Sequence, residues 1–226
     1  MVHEFRLQRK PRLTPGLSRI VQILLTTALA FLVGCTGTSP RFGSSSGTSR
    51  HGETHAVSPS PELMKQADEE KKEDDVPVDA SVKESIVSGT RDFKSEKNPA
   101  LSNLDASRVM REISKYMGVP YLLGGEGGQG IDCSAYTRLV YKNSLKQELP
   151  RTSREQSRSG SPVGFQKLQF GDLIFFNTTG DPASHVGIYL GDDLFAHASV
   201  TFGVTISSLE SSYYKNRFEG ARRIIE

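Results

Sequence analysis

The pattern of hydrophobic and polar positions divides the chain into a first part that lacks a regular period and a second part that has one. From about residue 36 to residue 98, Ser, Gly, Thr, Pro and charged residues dominate, without a helical or strand-like apolar period. Such a segment buries too little apolar surface to offset the entropy lost on ordering. We therefore predict a disordered tether over residues 35–101, with at most a transient helix at 62–72 and a solvated charge run at 68–75.

The second part begins near Ser102 with a helical period. One apolar face is formed by Val109, Ile113, Tyr116 and Met117. Gly118 supplies the C-terminal stop of this helix. A second helix is predicted at 133–143, and a short third one follows Thr152, which fits a capping box with Glu155.

The pattern then changes to short runs typical of strands, separated by turn residues. These runs are 171–176, 185–190, 194–198, 204–207 and 220–225. Helices followed by strands predict an α+β domain over residues 102–226. We expect its antiparallel sheet to pack on the helix that begins at Cys133.

Composition narrows the class of protein. The chain of 226 residues is long enough for one ordinary domain plus tails, and its formal net charge of +2 argues against a nucleic-acid surface. It has two cysteines, Cys35 and Cys133, so no disulfide framework is implied.

The N-terminus predicts export. Residues 1–19 are basic and Ile20–Val33 is a short apolar run without charge, as in a secretory signal, whereas a permanent span needs roughly 20 apolar residues. The run ends in Leu32-Val33-Gly34-Cys35, which resembles the lipobox of bacterial lipoproteins. The resemblance implies removal of residues 1–34 and acylation of Cys35, so that lipid chains hold the mature protein on a membrane. The alternative is an uncleaved anchor with an incidental cysteine.

Thr36 follows the cysteine of this lipobox. In the enterobacterial sorting rule, an aspartate at that position retains lipoproteins on the inner membrane. We therefore expect the protein in the cell envelope, anchored by lipid to the outer membrane and facing the periplasm.

Cys133 stands where a glycine-rich loop, residues 124–130, turns into the second predicted helix. Asp132 is a suitable N-cap, and a thiol in the first turn faces unpaired N–H groups and the positive end of the helix dipole. These features favour the thiolate and a nucleophilic role. The alternative is a small buried hydrophobic residue, since free cysteine is among the most buried residue types.

Two of the five histidines, His185 and His197, lie in the strand-rich half. Their strands are consecutive and separated by the turn 191–193, so antiparallel pairing brings the two rings together. A helix-borne cysteine, one histidine as base and a second polar group that orients the base follow the logic of covalent catalysis. Two alternatives stay open: each histidine is a satisfied core residue, or Cys133 and both histidines form an open three-ligand zinc site.

Six motifs, in order along residues 102–225, resemble those of the NlpC-type cell-wall peptidases. They are Pro120-Tyr121-x-x-Gly124-Gly125, Gly130-Ile131-Asp132-Cys133-Ser134, Leu149-Pro150-Arg151-Thr152-Ser153, Gly171-Asp172-Leu173-Ile174-Phe175-Phe176, His185-Val186-Gly187-Ile188-Tyr189 and His197-Ala198-Ser199. The lipoprotein endopeptidases of that family also share the stretches Val204-x-Ile206-Ser207-Ser208 and Ala221-Arg222-Arg223. The resemblance implies a papain-like α+β fold.

The same resemblance implies roles for individual residues. Cys133 is the expected nucleophile, His185 the base and His197 the group that orients the base. Substrate-binding residues are expected at Tyr121, Asp132 and Ser134, with Tyr121 in a pocket near the thiol. Ala135 departs from the family pattern, which usually has glycine there. We expect its methyl group to narrow the pocket without removing the nucleophile.

The expected activity is that of a cysteine endopeptidase that cuts stem or crosslink amides of peptidoglycan through a thioester. We expect peptidoglycan and a membrane as partners, a monomer, no nucleic acid, and neither a metal nor an organic cofactor. One alternative is a non-catalytic wall-binding lipoprotein. Another is acyl transfer or amidase chemistry on the same scaffold.

Overall fold

A computed structural model describes residues 59–88 and 103–226 of the chain. The predicted signal peptide over residues 1–34, the predicted lipidation site Cys35 and the parts of the predicted tether at 36–58 and 89–101 lie outside these residues. No helix within the described ranges is both long enough and apolar enough to cross a membrane.

The described residues form six α-helices and eight strands. The helices are α1 (Pro61–Glu73), α2 (Ala80–Val87), α3 (Asn103–Tyr116), α4 (Cys133–Leu145), α5 (Ser153–Gln156) and α6 (Ser212–Lys215). The strands are β1 (Glu126–Gly127), β2 (Gly130–Ile131), β3 (Ser161–Val163), β4 (Leu173–Phe176), β5 (His185–Gly191), β6 (Leu194–Ser199), β7 (Gly203–Ser208) and β8 (Phe218–Arg223).

Six of the strands make one antiparallel sheet in the order β3-β8-β4-β5-β6-β7. β4 to β7 are neighbours in sequence and in space, which is the short-range topology that consecutive strands favour. β1 and β2 form a separate two-stranded hairpin ahead of α4. The predicted α+β class, with helices first and an antiparallel sheet after them, is confirmed.

The sheet is covered on both faces. In β4, Leu173 and Phe175 belong to the hydrophobic cluster shared with α3 and α4, whereas Ile174 and Phe176 belong to a cluster shared with α6. Successive side chains of a strand point to opposite faces, so a strand buried on both faces is apolar throughout. α4 packs directly on β5 and β6, which places its first residue beside the strands that carry His185 and His197.

α1 and α2 differ from the predicted disordered tether. Ser60 caps α1 by accepting a hydrogen bond from the Leu63 N–H at 3.2 Å, and Pro61 opens the helix. In α2, Ile86 is fully buried in the main core. The prediction of a tether is therefore wrong for residues 61–87.

Polar contacts hold α1 on the rest of the protein, which explains why hydrophobic periodicity did not reveal the docking. Arg217 donates to Glu73 at 2.9 Å and to Glu69 at 3.1 Å, and its guanidinium lies over the Tyr213 ring. Asp75, just after α1, accepts from the Ser212 N–H at 2.9 Å. The charge run predicted to be solvated is thus partly an interface.

Removal of the Arg217 side chain should loosen α1. We expect Arg217→Ala to accelerate trypsin cleavage at Lys65, Lys71 and Lys72 by about threefold to tenfold, because local opening controls proteolysis and two ion pairs are lost. The measurement is the rate of appearance of these cleavage products by mass spectrometry. Arg154→Ala is the matched control, since Arg154 pairs with Asp181 away from α1. Equal cleavage rates in the two variants would show that Arg217 does not hold the helix.

Candidate active site

The N-terminus of α4 presents Cys133. Asp132 caps the helix by accepting a hydrogen bond from the Ala135 N–H at 2.8 Å, as its position predicted, and also accepts one from the Ser134 hydroxyl at 2.9 Å. These contacts fix the first turn, so Cys133 occupies its first helical position with little freedom.

The glycine-rich loop in front of the cap is held against it. The Asp132 N–H donates to the Gly125 carbonyl at 3.1 Å, and the Gly124 N–H donates to the Asp132 carboxylate at 3.1 Å. A Cβ atom at Gly125 would lie 2.5 Å from the Gly130 carbonyl oxygen, so the two arms of the loop approach this closely only with glycine. The loop and the cap therefore form one rigid support.

His185 and His197 lie side by side, as the antiparallel pairing predicted. The distance between His185 Nε2 and His197 Nδ1 is 2.9 Å, and the two rings meet edge to face. Gly187 makes room for this pair, because a Cβ atom there would lie 2.7 Å from Phe195 Cδ2 and 3.3 Å from the His197 Cβ. Both histidines are almost fully buried.

The sulfur of Cys133 lies at the start of β5. The backbone N–H groups of Val186, the residue after His185, and of Ser134 lower the pKa of the thiol, which indicates that both lie near the sulfur. The three residues that the sequence singled out from different elements, Cys133, His185 and His197, therefore converge on one place in the fold.

Burial keeps these three groups uncharged. It raises the pKa of the Cys133 thiol to about 12, helped by the nearby negative charge of Asp132. Burial lowers the pKa of His185 to about 4 against the opposing effect of Asp132, and it lowers the pKa of His197 well below its usual value. Burial thus opposes the predicted effect of the helix dipole on the thiol, and that effect stays a prediction. The resting state is a thiol beside a neutral imidazole.

Tyr121 lies near the Cys133 thiol. Its backbone forms a parallel bridge to Ile131, close to the start of α4. Burial raises the pKa of the Tyr121 hydroxyl, and a charge on Cys133 raises it further, which indicates that the phenol and the sulfur are close. A protonated phenol next to the sulfur fits the predicted pocket position.

Asp132 and Ser134 are both buried and hydrogen-bonded within the protein. Arg151 donates to both oxygens of the Asp132 carboxylate, at 2.7 and 3.1 Å, and to the Ser134 hydroxyl at 3.0 Å. It also donates to Glu126 of β1 at 2.8 Å. The predicted contact of Asp132 and Ser134 with substrate stays a prediction. Their observed partners tie the cap of α4 to the hairpin.

Arg151 and Gln156 hold the start of α4 in place, a role that sequence reasoning missed. Gln156 is fully buried, accepts from the Thr137 hydroxyl at 2.8 Å, and donates to the Ser134 and Pro150 carbonyls at 3.0 and 2.9 Å. The sequence signal was present in the motif that contains Arg151 and in the capping box of α5. Neither pattern states which side chain its residues contact.

Two further expectations from the sequence concern Ala135 and a zinc site. The Ala135 side chain is buried in the main hydrophobic core, one position after Ser134. Within residues 59–88 and 103–226, no three His, Cys, Asp or Glu side chains are arranged to hold a metal ion.

An α+β domain in which a helix-borne cysteine meets two paired histidines of an antiparallel sheet has a papain-like fold. The profile of the NlpC/P60 family matches residues 118–223, which include all three of these residues. The chain is 41% identical over 124 residues to a protein of Escherichia coli named murein DD-endopeptidase MepS/murein LD-carboxypeptidase. That alignment covers 54% of this chain and 65% of the relative, so the chain spans slightly less than two thirds of it.

A further sequence relative and a solved structure support the same family. A probable endopeptidase of Haemophilus influenzae is 40% identical over 111 residues, which cover 49% of this chain and 69% of that protein. The crystal structure of an NlpC/P60 family protein from Bacillus cereus superposes with a TM-score of 0.50 at 35% identity, over 54% of this chain and 40% of that chain. The chain belongs to the NlpC/P60 family.

Burial of neutral His185 links stability to pH. Its folded-state pKa of about 4 lies below the usual 6.5, so the unfolded state binds more protons as the pH falls below about 6.5. When the pH falls from 7.5 to 5, protonation of His185 in the unfolded state should lower the free energy of unfolding of the wild type by about 2 kcal/mol. His185→Gln should not show this loss. Urea unfolding of both proteins at the two pH values measures the difference. Equal losses in both proteins would mean that His185 is already protonated in the folded state.

Proposed function

We propose that this protein is a peptidoglycan endopeptidase in which Cys133 is the nucleophile, His185 the base and His197 the group that orients the base. The observation that carries the proposal is the convergence of a capped helix N-terminus bearing a thiol with a buried, hydrogen-bonded histidine pair. The similarity to the Escherichia coli protein, which is named a murein DD-endopeptidase, supports peptidoglycan as the substrate.

Proton transfer follows from the hydrogen bond between the rings. Because His185 Nε2 is engaged by His197, Nδ1 of His185 is the nitrogen left to take the thiol proton. The thiol is neutral at rest, so the proton moves to His185 as sulfur attacks the amide carbonyl. His185 then returns the proton to the leaving amine, the C–N bond breaks, and a thioester on Cys133 remains.

Water completes the cycle. His185 takes a proton from the attacking water, the C–S bond breaks, and the sulfur recovers a proton from His185 while the carboxylic acid leaves. The charged imidazole formed in each half-reaction is stabilised by its neutral neighbour His197, whose Nδ1 accepts the hydrogen bond. Burial of both rings excludes water from this bond.

Attack by the sulfur places a negative charge on the carbonyl oxygen of the substrate. Hydrogen-bond donors at the start of α4 would stabilise this charge. The first N–H groups of a helix have no partner within the helix and carry the positive end of its dipole. The Tyr121 hydroxyl is the second donor, since its raised pKa keeps it protonated in the working range. Preorganised donors of this kind stabilise the transition state more than the bound substrate.

For the location of the enzyme, the proposal rests on sequence alone. A lipid anchor at Cys35 and a tether of residues 36–58 would keep a monomeric domain near the outer membrane, on the side where peptidoglycan lies. Such an anchor would confine peptidoglycan hydrolysis to the wall within reach of the membrane.

Digestion of purified peptidoglycan tests the activity. We expect the wild-type chain to release new amino and carboxyl ends, identified by mass spectrometry, and Cys133→Ser to release none above background, because a serine hydroxyl is far less acidic than a thiol. Circular dichroism checks that the variant folds. Release by Cys133→Ser at the wild-type rate would reject Cys133 as the nucleophile, and binding without release by wild type would favour a wall-binding protein.

A further inference from the structure

His197 makes two further polar contacts on the side that faces away from His185. Its Nε2 lies 3.2 Å from the Ser207 hydroxyl and 3.3 Å from the Tyr214 hydroxyl. The ring is also enclosed by the Phe195 and Tyr214 rings, with centroids 4.8 and 5.2 Å away. Since Nδ1 faces His185, these two hydroxyls decide whether Nε2 carries a proton.

Both hydroxyls lead to carboxylates of the N-terminal segment. Tyr214 donates a short hydrogen bond to Glu70 of α1, and Ser207 donates to Asp74, the residue after α1, at 3.4 Å. Glu70 is only 2% exposed, and its other oxygen accepts from the N–H and hydroxyl of Thr201 at 3.2 and 2.8 Å. α1 lies outside residues 118–223, the part that matches the family.

The direction of each hydrogen bond follows from these contacts. An ionised carboxylate only accepts, so the hydroxyl protons of Tyr214 and Ser207 are directed at Glu70 and Asp74. Both oxygens can then only accept from His197, which requires a proton on its Nε2. His197 Nδ1 is left as an acceptor, so His185 must donate from Nε2. The free lone pair of His185 is therefore on Nδ1, the nitrogen that acts as base.

We propose that Glu70, with Asp74 as a second support, is a positioning residue of the active site: it fixes the tautomers of His197 and His185 through Tyr214. α1 is then a working part of the catalytic apparatus that the matched family region does not contain. The inference deepens the proposed function and rests on it for the role of His185 as base. The tautomers themselves do not depend on which bond is cut.

An isosteric substitution tests the direction of the hydrogen bonds without opening a cavity. In Glu70→Gln, the amide oxygen is needed by the Thr201 N–H, so the NH₂ group faces Tyr214 and donates to it. The Tyr214 proton then turns to His197 Nε2, which becomes an acceptor. His197 and His185 change to their Nδ1–H tautomers, and the base loses its lone pair.

The first measurement is the tautomer of each histidine in the full chain, read from long-range ¹H–¹⁵N correlation of histidine-labelled protein at pH 7.5. The signals are assigned with His185→Asn and His197→Asn. The second is the rate at which iodoacetamide alkylates Cys133, followed by mass spectrometry of its peptide so that Cys35 does not contribute. Asp68→Asn is the matched control: it removes the same charge from α1, but the Asp68 side chain is exposed and lies outside the network.

We expect Nε2–H at both histidines in wild type and in Asp68→Asn. In Glu70→Gln we expect Nδ1–H and alkylation of Cys133 slowed by at least about tenfold, since general-base assistance contributes 10²–10⁴-fold. Nδ1–H at His197 in wild type overturns the proposal, and this result does not depend on whether the variant folds. Wild-type tautomers and alkylation in Glu70→Gln overturn it as well.

Failure of the proposed function gives a different result. Wild-type chain that shows the expected tautomers and alkylation but releases nothing from peptidoglycan would reject the substrate and support the positioning role of Glu70.

Discussion

The hydrogen bond between the two buried rings of His185 and His197 is the interaction on which the site depends. Burial makes a charge on either ring costly, so the pair stays neutral until a substrate is attacked. The proposed mechanism requires one direction of this bond, with His185 donating, because only that direction leaves a lone pair on His185 Nδ1. Much of the surrounding structure maintains this geometry.

Three parts of the fold meet this requirement in different ways. The antiparallel sheet sets β5 beside β6, and the absence of a side chain at Gly187 allows the rings to touch. Helix α4 brings Cys133 to the start of β5, with its first turn fixed by Asp132 and Arg151. The polar docking of α1 then supplies acceptors behind the pair. The contacts of the histidine pair are thus shared between the part that matches the family and a segment outside it.

Sequence reasoning recovered the parts of this arrangement that depend on local pattern. Periodicity and turn residues gave the α+β class, and the spacing of the two strands brought His185 and His197 together. It failed for α1, because Glu70 docks through hydrogen bonds and apolar periodicity carries no signal for them. It left open whether Cys133 is buried, since the depth of burial is a tertiary property. Arg151 was within a recognised motif, but its partner lies 19 positions away.

The central claim is that Cys133 forms a covalent intermediate with a peptidoglycan stem. The most direct measurement mixes the protein with a soluble peptidoglycan fragment, quenches in acid within milliseconds to seconds, and maps the protein by mass spectrometry. We predict an added acyl group on the peptide that contains Cys133, removable by hydroxylamine as a thioester is. Release of product while Cys133 stays unmodified at every quench time, with the group on another residue, would contradict this assignment.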